Sequence, residues 1–204
     1  MSSKQTIWAA LALLGALTGC QPDADRGDGK EPTDFAGMMA LAKKGNPSAE
    51  FNLAVRYLVG DGVIADAREG AKWMAKAAMD GDVDAQFNLG AMYGAGQGVP
   101  KSNDEAMKWY RIAAENGQVQ AQFNLGLFNY RGFGVKRNLD EAAKWFRKAA
   151  EAGDAKAQYF FGDCCYVGFG VAKDREAAIG WYRKSAAQGF KEAEARLAEL
   201  VRQK

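Results

Sequence analysis

The hexapeptide Ala-Gln-Phe-Asn-Leu-Gly occupies residues 85–90 and returns at 121–126, thirty-six residues on. The same step reaches Ala-Gln-Tyr-Phe-Phe-Gly at 157–162 and Ala-Glu-Ala-Arg-Leu-Ala at 193–198; one step back reaches Ala-Glu-Phe-Asn-Leu-Ala at 49–54. Five copies in one register restrict the chain to repeat architectures, where one supersecondary unit recurs and buries its neighbour's apolar face.

Each column of the repeat has a physical reading. Gly45, Gly81, Gly117, Gly153 and Gly189 stand where a helix ends in the left-handed region. In the next column Asn46, Asp82 and Asp154 can cap the following helix, while Phe190 cannot. That first helix of the unit runs about thirteen residues, as in Pro47 to Val59. It stops at a Gly-x-Gly-Val turn built on Gly60, Gly96, Gly132 and Gly168, with Val63, Val99, Val135 and Val171 pinning the turn to the core. The second helix opens with Asp66-x-x-Glu69, Ser102-x-x-Glu105 and Asn138-x-x-Glu141, the spacing of a reciprocal capping box; the fourth unit has Asp174 but Ala177. These acids therefore read as structural.

Trp73, Trp109, Trp145 and Trp181 form a column expected in the core, followed by Met74, Tyr110, Phe146 and Tyr182. Asn52, Asn88 and Asn124 read as hydrogen-bonding struts to a neighbouring turn. Phe160 breaks that column, at either the edge of the stack or a local binding spot. The predicted fold is all-α, an α-α solenoid of four 36-residue helix-pair repeats over residues 35–204. Phe35 to Lys44 and a charged helix from about Lys191 to Arg202 serve as half-repeat caps.

Composition narrows the chemistry. The chain has no histidine, which removes the usual general base, the commonest metal ligand and every Ser–His or Cys–His pair. A net charge of +2 gives no footprint for nucleic acid. The Gly-x-Gly turns lack the following Gly-Lys-Ser/Thr of a phosphate loop. No metal site or cofactor is expected. Cys164 and Cys165 are adjacent on a predicted helix and point about 100° apart, which disfavours a bridge. Cys165 reads as a small core filler; Cys164 reads as the more exposed of the two, a free thiol open to an intermolecular partner.

Residues 1–19 have a lysine, an apolar run from Ile7 to Leu17 and a small-residue ending, the layout of a secretory signal peptide. Leu17-Thr18-Gly19-Cys20 resembles the lipobox of bacterial lipoproteins. That resemblance implies lipidation of Cys20 and a membrane anchor. With Gln21 rather than aspartate next, it implies the outer membrane facing the periplasm. Residues 20–34 hold five acids, two prolines and no large apolar side chain, and read as a disordered tether.

The full unit reads Ala-x-x-x-Leu-Gly, Gly-x-Gly-Val and Ala-x-x-Trp-Tyr/Phe-x-Lys-Ala-Ala, and it resembles the Sel-1-like repeat family of tetratricopeptide-like solenoids. The resemblance implies a scaffold that binds another protein or peptide, commonly on the concave face lined by the first helices. An assembly or export adaptor of the envelope and an immunity protein against a periplasmic toxin both fit. Some cysteine-rich relatives were described as β-lactam-acting, which leaves a cell-wall or β-lactam enzyme as the alternative. This chain lacks their cysteine clamps, Ser-x-x-Lys and Lys-Thr-Gly, so no enzyme is expected and no catalytic residue is assigned. The expected binding stripe holds Phe87, Phe123, Leu127, Tyr130, Arg131, Tyr159, Asp163 and Tyr166, with its centre in the second half of the repeats.

Overall fold

A computed structural model describes residues 34–202; the expected signal peptide, Cys20 and all of the expected tether except Asp34 lie outside the described residues. Among the described residues there are ten α-helices and no strand. They are α1 (Phe35–Lys43), α2 (Pro47–Val59), α3 (Ala67–Met79), α4 (Val83–Ala95), α5 (Asn103–Glu115), α6 (Val119–Arg131), α7 (Leu139–Glu151), α8 (Ala155–Val167), α9 (Arg175–Ala187) and α10 (Lys191–Arg202). Helices α2 to α9 form the four expected pairs, with α1 and α10 as half repeats. The fold class is all-α, of the α-α solenoid type.

The ends of these helices follow from single side chains. Asn46, Asp82 and Asp154 each accept the N–H of the residue three further on, Ala49, Ala85 and Ala157, at 2.7–2.8 Å. Gln118 does the same for Ala121 at 3.0 Å, so a longer side chain fills the capping column without loss of the bond. Each first helix closes on the left-handed glycine of its Gly-x-Gly-Val turn, as at Gly60 with φ 75°.

The capping boxes of the second helices form only one arm. Asp66, Ser102 and Asn138 accept the N–H of Glu69, Glu105 and Glu141 as expected, at 3.1–3.2 Å. The N–H groups the glutamates were expected to satisfy are already used. Asp66, Ser102, Asn138 and Asp174 donate theirs to the carbonyls of Tyr57, Tyr93, Asn129 and Cys165 on the preceding helix, at 2.8–2.9 Å. Those bonds lock each turn to its own helix pair. They leave Glu69 and Glu141 to pair with Lys72 and Lys144, at 2.7 Å each.

The chain divides into two compact units between Asn116 and Gly117. In the N-terminal unit Met74, Leu89 and Met92 form one buried cluster with small alanines, and Ala42, Ala49 and Leu53 form another. In the C-terminal unit the buried centre is Phe146, Phe161 and Tyr182, closed by Leu200 of α10. The tryptophan column is not the deepest layer. Trp145 is buried, but Trp73, Trp109 and Trp181 are only half-buried, while the following column holds Met74, Phe146 and Tyr182 at 0% exposure. An indole at the helix margin keeps one face for a cation, and a lysine three residues on supplies it. Lys76, Lys148 and Lys184 stand 5.1, 4.3 and 4.1 Å from the ring centroids of Trp73, Trp145 and Trp181. Within the asparagine column, Asn88 Nδ2 donates at 2.8 Å to the Asp84 carbonyl of its own helix, one turn back.

Candidate protein-binding site

Three of the eight residues expected on the binding stripe meet around one cavity, all within the C-terminal unit. Tyr130 comes from the last turn of α6, and Tyr159 and Asp163 come from successive turns of α8. The cavity has a volume of about 310 Å³ and is completed by Phe146, Phe160, Cys164, Val167, Phe169 and Arg196. Ring packing builds its aromatic wall: Phe160 stacks on Phe146 with centroids 5.3 Å apart and meets Tyr159 edge-on at 5.6 Å.

The other five stripe residues lie elsewhere. Phe87 is a core residue, 3% exposed and 5.6 Å from the Tyr110 ring, so it offers no surface. Phe123 is half-buried between Phe146 and Phe160, at 5.8 and 5.5 Å. Leu127 packs on the margin of the same core. Arg131 is exposed, with its guanidinium 5.8 Å from the Phe133 ring. Tyr166 is covered by the guanidinium of Arg196 at 4.8 Å. The third-column rings of Phe87, Phe123 and Tyr159 each meet an aromatic ring of the following helix, Tyr110, Phe146 and Tyr182, so Phe87 and Phe123 were drawn inward by packing.

Sequence reasoning missed Phe146, Phe169 and Arg196. Arg196 sits on α10, whose charged face reads as solvated, and only the three-dimensional return of that helix brings it to α8. Phe160 carried a signal, since it interrupts the asparagine column, and it lines the cavity.

The polar groups of the site form one linked set. The Tyr182 hydroxyl donates to Asp163 Oδ1 at 2.7 Å. Burial holds the Asp163 carboxyl above its ordinary pKa, against the opposing pull of the Tyr182 hydrogen bond and of Arg196. Tyr182 is pushed up by burial and then by its hydrogen bond to Asp163, and Tyr159 by burial and then by the Asp163 charge. Arg196 Nη1 pairs with Glu199 Oε2 at 3.0 Å, and the guanidinium pKa is raised, chiefly by the Tyr182 hydroxyl beside it.

Cys164 departs from expectation. It is 3% exposed, its thiol is pushed up to about 12 by burial, and it is no candidate for an intermolecular bridge. The neighbouring columns explain why: its position in the second repeat is Met92, fully buried. Among the described residues no group of three or more His, Cys, Asp or Glu side chains is arranged to hold a metal ion.

The Sel1 repeat matches residues 47–82, 83–118, 119–154 and 155–190, each one helix pair of the structure. The chain belongs to the Sel1 repeat family. It is similar to a protective antigen of uropathogenic Escherichia coli that displays the same repeat fold, with 38% identity and a TM-score of 0.80 over 82% of this chain and 36% of that one. It is also similar to a Sel1 repeat protein from Oxalobacter formigenes, with 34% identity and a TM-score of 0.76 over 81% of this chain and 48% of that one. This Sel1 chain therefore spans less than half the length of either. A cysteine-rich protein of Helicobacter pylori shares the fold at 23% identity and a TM-score of 0.52, over 68% of this chain and 99% of that one. No curated protein matches. Sel1 repeats are protein-interaction scaffolds, and the chain is a scaffold of this type.

Proposed function

We propose that this chain is a lipid-anchored Sel1 repeat scaffold of the bacterial envelope, outer membrane facing the periplasm, that binds another protein at the cavity of its C-terminal unit. The observation that carries the binding surface is the convergence of Tyr130, Tyr159 and Asp163 with Arg196 on one concave, aromatic-walled cavity. Interface hot spots are rich in tyrosine and arginine set in pockets of this kind. Val167, 46% exposed, adds an apolar rim that a partner would cover. Leu17-Thr18-Gly19-Cys20 supports the anchor, and multiple acyl chains hold a protein stably at a membrane where one does so only marginally.

One experiment in cells tests both halves. A photo-crosslinking amino acid at position 159 is expected to trap a partner protein, whereas the same group at the exposed Met79 is not. Equal crosslinking from the two positions rejects the site. In the same cells the wild-type chain incorporates a fatty-acid label and Cys20→Ser does not; an unlabelled wild-type chain rejects the anchor.

A further inference from the structure

We infer that the turn closing α6 docks an acidic segment of the partner protein, its carboxylates held by Arg131, Lys136 and Arg137 at the edge of the cavity. This deepens the protein-binding reading above, on which it rests, by naming the chemistry that the partner presents.

Inside the cavity wall the acid and the base, Asp163 and Arg196, act on each other, so the interior selects no charge. The turn beside it is different. Arg131, Lys136 and Arg137 are all exposed, and the sequence holds no aspartate or glutamate between Glu115 and Asp140. Among the described residues none of the three forms an ion pair. The first repeat instead carries an acid in its turn, Asp61, 3.9 Å from Arg56. Across the C-terminal unit bases outnumber acids in the sequence, and across the N-terminal unit acids outnumber bases.

The turn itself does not require these bases. Gly132 and Gly134 have φ of 74° and 70°. Gly60 and Gly62 have 75° and 72°, with Val59, Ile64 and Ala65 in the three basic columns. Gly168 and Gly170 have 87° and 66°, with Val167, Ala172 and Lys173. The second repeat has Ala95, Pro100 and Lys101 there. One backbone thus accepts an uncharged side chain at each position, and the third repeat alone makes all three basic.

Two of the three are held in place. Arg137 Nε donates to the Tyr130 carbonyl at 3.0 Å, and its guanidinium lies 5.5 Å from the Tyr130 ring centroid. The Arg131 guanidinium lies 5.8 Å from the Phe133 ring, which meets Phe128 edge-on at 6.3 Å. A guanidinium fixed on a ring has already lost part of its freedom, and its planar fork matches the two oxygens of a carboxylate. Phe133, 49% exposed, adds an apolar contact among the charges. Tyr130 joins this edge to the cavity, since its ring carries Arg137 and lines the cavity. A segment entering the cavity past Tyr130 therefore meets these bases. An anionic membrane would meet the same charges, but a flat bilayer surface cannot follow them into a concave cavity.

The test uses the full mature chain, isotope-labelled for NMR and carrying Cys20→Ser so that no lipid is attached. The probes are three acetylated, amidated pentapeptides of sequence Ser-X-Leu-X-Ser, where X is glutamate, glutamine or lysine, and vesicles of phosphatidylglycerol. The glutamate peptide is expected to shift the Gly132 and Gly134 amide signals and to bind about fivefold more tightly than the glutamine peptide, with the lysine peptide weakest. The triple variant Arg131→Val, Lys136→Ala, Arg137→Ala takes at each position a residue that another repeat already carries there. It is expected to erase the glutamate preference at an unchanged melting temperature. Should it fail to fold, raising the salt concentration on the wild-type turn is expected to remove the same preference. Glutamate binding no more tightly than glutamine, or no shift with any peptide, overturns the acidic-segment inference. Sedimentation with the vesicles that the triple variant loses, without a glutamate preference, assigns the edge to a membrane and overturns it too. Crosslinking from position 159 separates this inference from the reading beneath it. A wild-type crosslink yield in the triple variant overturns the inference alone, whereas no crosslink in the wild-type background overturns the protein-binding cavity.

Discussion

Glu50 shows how much one residue can change a repeated position. Its column holds Gln86, Gln122 and Gln158 in the next three repeats. Gln86 and Gln158 each donate Nε2 to a carbonyl eight residues back, Ala78 and Ala150, at 3.2 Å. Each also accepts, from Asn116 at 3.0 Å and Gln188 at 2.8 Å. Glu50 is 0% exposed, and its ionised form has no proton to give; the equivalent carbonyl is that of Ala42. Oε2 is buried without a partner, while Oε1 meets Lys76 Nζ at 3.1 Å. The charged groups facing it are Lys76 of α3 and Asp80, which caps the end of that helix, and burial, the largest influence, raises its pKa, with Asp80 adding to the rise against Lys76. The folded state thus holds the Glu50 proton more tightly than the unfolded chain does. Stability therefore falls as pH rises from the unfolded carboxyl value of about 4.3 through the raised folded one. Glu50→Gln supplies the missing donor and removes the titration. It is expected to stabilise the chain by about 1–2 kcal/mol at neutral pH and to flatten that pH dependence, as read from urea unfolding between pH 4 and 8. A variant that is less stable than wild type at pH 7 would contradict this account.

At the scale of the helix, the repeated Leu-Gly pair is a packing device. Gly90, Gly126 and Gly162 sit mid-helix, where glycine is unfavourable by about 1 kcal/mol. A Cβ at Gly126 would come within 2.6 Å of the fully buried Phe146 ring, and one at Gly162 within 2.7 Å of Tyr182. The first repeat has Ala54 in the glycine column and Met74 in the aromatic column, so the two columns vary together. A flexible methionine makes room for the methyl that a ring cannot. Gly126→Ala is therefore expected to destabilise by about 1–3 kcal/mol from overpacking, despite alanine's better helix propensity. Adding Phe146→Met is expected to recover part of that loss relative to Phe146→Met alone, a coupling that a double-mutant cycle in thermal unfolding measures. Additive effects would remove the coupling. The helices, caps and turns were legible because each is local: Asn46, Asp66 and the turn glycines act within four residues of themselves. The glycine–aromatic contact was not, since it joins residues twenty apart in sequence. Phe87 was misplaced for the same reason, because a three-residue stripe cannot distinguish the face toward Tyr110 from the face toward solvent.

At the scale of the whole chain, a stack of repeats has two ends, and each must be finished by something other than another repeat. The α10 helix finishes the C-terminal unit by burying Ala193 and Leu200 against it, while Arg175 Nη2 reaches back to the Leu200 carbonyl at 3.3 Å. It also carries Arg196 to the cavity. The sequence of α10, charged on most of its surface, announced a cap but concealed that the cap takes part in the candidate site. The return of α10 onto α8 and α9 is a tertiary fact with no local signature. Ending the chain after Phe190 removes both roles at once. Losing one buried leucine with its neighbours is expected to weaken the C-terminal unit by about 2–4 kcal/mol. Hydrogen exchange is expected to accelerate along α8 and α9, where Tyr166 loses the Arg196 guanidinium from its ring while Phe190 remains 5.4 Å from the Tyr159 ring. The Leu200→Ala variant retains Arg196, so it is expected to loosen the same helices while keeping the Tyr166 contact. If the truncated chain exchanges at the wild-type rate over residues 155–187, α10 is an appendage and the closing role assigned to it is wrong.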